Sequence, residues 1–92
     1  CVSCHSFEKG GANGTGPNLW GVLGRDAGTV PGFAYSPSMV AHPVWDYNAM
    51  DAFLLAPQRA VEGTKMSFVG LKKQEDRIAV IAYMRSMADA PP

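Results

Sequence analysis

Between Gly10 and Val44 the chain is rich in Gly and Pro and shows no sustained helical or strand period. A compact domain rarely carries so long a loop unless something lies in the middle for it to wrap around. The chain has 92 residues, which allows one domain over 1–92. A chain of this size buries only about two-thirds of the surface that its unfolded form exposes. Domains this small commonly add a disulfide, a metal or a prosthetic group to their apolar core. At 47% hydrophobic and 17% charged residues, disorder is excluded.

The cysteines say which addition to expect. There are 2, Cys1 and Cys4. A disulfide between them closes a loop too short to constrain much of the unfolded chain. A tetrahedral zinc site needs four ligands, and beyond the thiols only His5 and His42 are on offer. A thioredoxin-like dithiol expects a βαβ setting, for which there is no pattern. Cys1-Val2-Ser3-Cys4-His5 is C-x-x-C-H, the attachment spacing of covalent haem. On a helical turn, Cys1, Cys4 and His5 face the same way. Two thiols then reach the two vinyl groups of one haem c while the adjacent imidazole reaches the iron. Burying ~400 Å² of macrocycle at ~25 cal/mol per Å² contributes on the order of 10 kcal/mol, so the haem is part of the core.

A second axial ligand comes from His42, Met39, Met50, Met66, Met84 or Met87. Met50, Met84 and Met87 stand at helical spacings that read as core filling. Met66 lies in the loop between Gly63 and Gly70, which is free to point a thioether at a fixed metal. Met39 lies beside Ser36-Pro37. Position alone favours Met66 only modestly.

The remaining pattern is helical. Residues 1–8 make one or two turns, ended at Lys9-Gly10-Gly11. Ser36 and Pro37 read as the N-cap and first residue of a short helix. Residues 46–56 form a helix capped by Asp46, with Met50, Phe53 and Leu54 on one face and Pro57 as its stop. Residues 58–62 add a turn. Residues 73–88 form the strongest helix, with acidic residues early and Arg85 late. Val80, Tyr83, Met84 and Met87 make one apolar strip, and Ile78, Ile81 and Ala82 a second, so this helix is expected to be covered on two sides. No strand pattern competes. Eight basic residues balance eight acidic ones, which argues against nucleic-acid binding. No apolar run is long enough to span a membrane.

The ordered set CVSCH, GTGPNLWGVLGR, PGFAYS, Trp45, GTKMSFVG and DRIAVIAYM closely resembles class I c-type cytochromes of the mitochondrial and alphaproteobacterial type. It most resembles the soluble domain of membrane-anchored bacterial members. The resemblance covers nearly the whole chain. It implies an all-α fold of short helices and long loops around one haem. It implies thioether links through Cys1 and Cys4, and His5 and Met66 as axial ligands. The Pro17 carbonyl should accept the His5 Nδ1–H. Arg25, Tyr35 and Trp45 should bond a haem propionate or its surroundings. Thr64 should bond near the propionates and steady the Met66 loop.

Two departures stand out. Phe53 replaces a tyrosine that often touches the methionine sulfur, which implies a different potential. Met39 replaces an interior asparagine, which implies an altered buried water network. The family's helix before C-x-x-C-H has no counterpart, so the resemblance implies a missing upstream helix, signal or anchor. Val80 and Tyr83 match positions that pack against that helix.

The expected function is one-electron transfer, not enzymatic catalysis, from a quinol-oxidising complex to a terminal oxidase or reductase. The expected place is the periplasmic side of a bacterial membrane or the mitochondrial intermembrane space. Partners are redox proteins that meet the haem edge near Lys9, Lys65, Lys72 and Lys73, with Arg59 nearby. Two other readings compete. One is a haem module of a larger respiratory assembly, with a membrane tether upstream. The other is a peroxidase-like protein whose methionine ligand is labile.

Overall fold

A computed structural model describes residues 1–89 of the chain. Four helices appear in the order α1 (Pro37–Val40), α2 (Tyr47–Leu55), α3 (Pro57–Ala60) and α4 (Gln74–Ser86), with no strand among the described residues. Local chemistry sets their ends. Ser36 is in extended conformation and its hydroxyl accepts the Met39 N–H at 3.3 Å, with Pro37 in the first turn of α1. Asp46 caps α2 by accepting the Ala49 N–H at 2.7 Å. Pro57 stops α2 and opens α3 at once.

The segment before Lys9 is a single turn rather than a helix. The Cys4 and His5 N–H groups both donate to the Cys1 carbonyl, at 3.0 and 2.9 Å, and the chain then straightens. Polar side chains hold the long loop that follows. The Asn18 carboxamide donates to Ser6 Oγ at 2.8 Å and to the Glu8 carbonyl at 2.9 Å. Its own N–H donates to Asn13 Oδ1 at 2.8 Å, and Asn13 donates to the Pro31 carbonyl at 3.2 Å. Backbone groups that would pair in a helix or sheet are satisfied this way.

The core gathers Phe7, Leu19, Val22, Leu23 and Ala27 from the first half with Trp45, Met50, Phe53, Leu54, Val61 and Met84 from the second. The apolar strips of α4 are not both covered. Met84 is buried, and Val80, Ile81 and Met87 pack partly against the core, but Ile78 is 58% exposed. Ile78 lines an open groove between α4 and the first turns of α2, beside Tyr47, Asn48 and Asp51, so the second strip is flanked by α2 but not closed over. Tyr83 rests edge-on against Phe7 with centroids 5.1 Å apart, and its outer face meets solvent.

Arg77 ties α4 to the rest. Its Nε donates to Asp51 of α2 at 2.7 Å, and its Nη1 donates to the carbonyls of Leu71 and Lys72, each at 3.0 Å. Gly70 lets the preceding loop approach α2. It has φ +109, and a Cβ there would sit 2.0 Å from the Leu55 carbonyl oxygen. The Arg77 side chain is 10% exposed and that of Asp51 44% exposed. Removing the guanidinium leaves two carbonyls and a carboxylate unpaired. Arg77→Leu is therefore expected to lower stability by about 2–3 kcal/mol, below a fully buried pair because Asp51 can rehydrate. Guanidinium denaturation measures it.

Candidate functional site

The turn at residues 1–5 and the loops on either side of the core enclose an apolar cavity of about 330 Å³. Cys1, Cys4 and His5 line one wall, and the shared Cys1 carbonyl acceptor keeps them on one turn. Both thiols are free and exposed. The His5 Nδ1–H donates to the Pro17 carbonyl at 2.8 Å. Since a carbonyl only accepts, Nδ1 carries the hydrogen of this bond, and Nε2 is the ring nitrogen left to bind a metal. Gly16 makes this ring position possible, because a Cβ there would stand 2.2 Å from His5 Cε1.

Met66 and Thr64 line the cavity from the 63–70 loop. Thr64 is buried, and its hydroxyl accepts the Met66 N–H at 3.4 Å. Met39, Met50 and Met84 also line the cavity, and Met50 and Met84 are core residues as well. His42 does not line it. Its ring stacks on Trp45 at 4.5 Å, and its Nδ1–H donates to the Pro43 carbonyl at 2.9 Å.

Arg25, Tyr35 and Trp45 meet at another part of the wall. A short backbone pairing brings two of them together. Gly24 N–H donates to the Trp45 carbonyl at 2.8 Å, and Trp45 N–H to the Arg25 carbonyl at 3.0 Å. Trp45 is buried against Phe53, with centroids 5.0 Å apart. The Tyr35 hydroxyl accepts the Val30 N–H at 3.1 Å, which leaves its own O–H free to donate. Arg25 Nη1 donates to the Trp20 carbonyl at 3.1 Å, while its Nε is buried with no protein acceptor among the described residues. Burial pushes the Arg25 pKa below its ordinary value, and the neighbouring Tyr35 opposes that shift.

All nine residues singled out in the sequence thus border one space. The walls fit a flat apolar macrocycle with acidic substituents. Leu19, Val22, Phe53 and Leu54 supply apolar surface, and the orphaned Arg25 donor suits a carboxylate. Of the four lysines expected near a docking edge, only Lys65 lines the cavity, and its Nζ donates to the Ala34 carbonyl at 3.1 Å. Lys9 pairs with Asp89 at 2.8 Å, and both are exposed. Lys72 donates to the Leu55 carbonyl at 3.0 Å.

Gln58 escaped the sequence reading. Its carboxamide donates to the Thr64 carbonyl at 3.3 Å and to the Met66 carbonyl at 3.4 Å, across the 63–70 loop. Arg77 escaped it too. A charged residue directly before the apolar run Ile78–Met84 was the only available signal for it.

A helical chain wrapped around this cavity, with two free thiols and an imidazole on one wall, suits a covalently held haem. No family model matches the chain. It is 49% identical over 87 residues to cytochrome c of Euglena viridis, covering 94% of this chain and 84% of that protein. It is 46% identical over 82 residues to cytochrome c of Trypanosoma brucei brucei, covering 88% of each. It is also 46% identical over 88 residues to the cytochrome c-type cyt cy of Rhodobacter capsulatus, covering 95% of this chain and 43% of that protein. The chain belongs to the cytochrome c family, with its class I all-α fold and one covalent haem c, and is an electron-transfer protein rather than an enzyme.

The close approach at Gly16 makes a prediction. Gly16→Ala forces the His5 ring away and is expected to cost about 1–3 kcal/mol through overpacking. Thermal denaturation reads this as a fall in Tm of roughly 5–20 °C.

Proposed function

We propose that Cys1 and Cys4 carry the thioether links, that His5 and Met66 are the axial ligands, and that the protein carries single electrons from a quinol-oxidising complex to a terminal oxidase or reductase. We place it on the periplasmic side of a bacterial membrane or in a mitochondrial intermembrane space. The observation that carries this reading is the turn that sets two thiols and an imidazole on one wall of a cavity that Met66 also lines.

When bound, haem supplies an iron whose charge changes by one unit without a change of ligands. The side chains tune that change. The Pro17 carbonyl fixes the His5 ring and raises the basicity of Nε2. A His/Met pair raises the potential, and the apolar wall of Leu19, Val22 and Phe53 disfavours the extra positive charge of the oxidised state in the same sense. Arg25 offers its unpaired Nε to a propionate, and Tyr35 its free O–H. Thr64 steadies the Met66 loop from inside. If His5 and Met66 both held the iron, no open position would remain for substrate. That favours a carrier over the peroxidase-like alternative.

Partners meet the protein near Lys9, Lys65, Lys72 and Lys73 in this reading. The formal net charge of zero and the Lys9–Asp89 pair make steering weak. The Asp89 carboxyl is held below its ordinary value of 3.8 chiefly by the hydrogen bond from Lys9. The pair is therefore intact at neutral pH and is lost only as acid titrates the carboxyl below its lowered pKa.

Met66→Ala is expected to abolish the weak far-red band of iron–thioether ligation in the ferric spectrum while intact mass still shows one attached haem. Persistence of that band transfers the ligand role to another methionine. Association with an acidic redox partner, followed by stopped flow, is expected to slow as ionic strength rises. A flat response removes the lysine steering.

A further inference from the structure

We propose that Gln58 is a positioning residue for the axial thioether, acting as a strut that keeps the Met66 loop closed against displacement of its ligand. This rests on the reading of Met66 as an iron ligand and deepens it. The geometry is specific. Gln58 belongs to α3, a four-residue helix whose start is set by the buried Pro57. One carboxamide nitrogen has two hydrogens, and here they go to two carbonyls that bracket Lys65, those of Thr64 and Met66. The nitrogen therefore spans the part of the loop that presents the thioether. Thr64 holds the same stretch from the cavity side through the Met66 N–H. The backbone of residue 66 is thus gripped at its N–H by one residue and at its carbonyl by another.

The two grips differ in chemistry. Thr64 is buried and works inside the loop, whereas Gln58 lies on a separate helix and is exposed. To open the loop away from the cavity, the 64 and 66 carbonyls must leave the Gln58 donor and find water. The bonds are long and water competes for them, so the strut adds a modest barrier to opening. Loss of two such bonds is expected to raise the opening rate about three- to tenfold.

The test uses the haem-loaded protein in its ferric form, with imidazole as the displacing probe. At saturating imidazole, the rate of loss of the far-red band reports loop opening. Gln58→Met keeps the length of the side chain and removes the donor. Gln58→Glu keeps the shape and sets a carboxylate against two carbonyls. Both are expected to open about three- to tenfold faster than the parent, with Gln58→Glu the faster, while their thermal midpoints stay close to the parent's. Leu23→Ala, a core substitution outside the cavity lining, controls for general loosening. Opening rates within twofold of the parent in both Gln58 variants overturn the strut. So does an increase no larger than that of Leu23→Ala. If Met66→Ala keeps the far-red band, the ligand assignment itself fails. That result is read without any Gln58 variant, so the two failures are told apart.

Discussion

The bond from His5 Nδ1 to the Pro17 carbonyl organises the rest of the molecule. It joins the opening turn to a loop 12 positions on, and it settles which nitrogen of the imidazole faces the cavity. Gly16 permits the approach. The Gly16 N–H donates to the Cys4 carbonyl at 2.8 Å, so turn and loop are pinned twice within a few residues. A cavity wall built this way holds the His5 ring in one orientation. The loop that follows then has a fixed origin from which Asn18 and Asn13 hold its backbone.

The opposite wall is built by a different means. Helix α2 places Met50, Phe53 and Leu54 inward, and the 63–70 loop lines the same cavity. Helix α4 backs this assembly through Met84 and the Arg77 fan of bonds to Asp51, Leu71 and Lys72. One guanidinium therefore links a helix, its neighbour and the end of the loop that carries Met66. Coupling of this kind lets a wall made of loops behave like one made of regular elements.

Much of this was legible in the sequence because the signals are local. Ser36-Pro37, Asp46 and Pro57 each act within one turn of their own position, and the structure ends its helices where they stand. The constellation of cavity residues was legible for another reason: C-x-x-C-H and the ordered motifs carry the family pattern. What stayed hidden depends on contacts between distant segments. Arg77 looks like a surface charge until Asp51, 26 residues earlier, is brought beside it. Gln58 looks like any polar helix residue until the loop folds back across it. Ile78 shows the converse error, since an apolar strip in sequence does not guarantee a covering element.

Lys72 shows how a tally of formal charge can mislead. Its ammonium group closes the end of α2 at the Leu55 carbonyl and also donates to the Val69 carbonyl at 3.4 Å. Acylating such a side chain would remove a charge from the surface and also untie a helix end from the loop beside it. Chemical labelling of lysines on this protein would therefore perturb architecture and long-range field together, and a slower reaction after labelling would not by itself locate a contact surface.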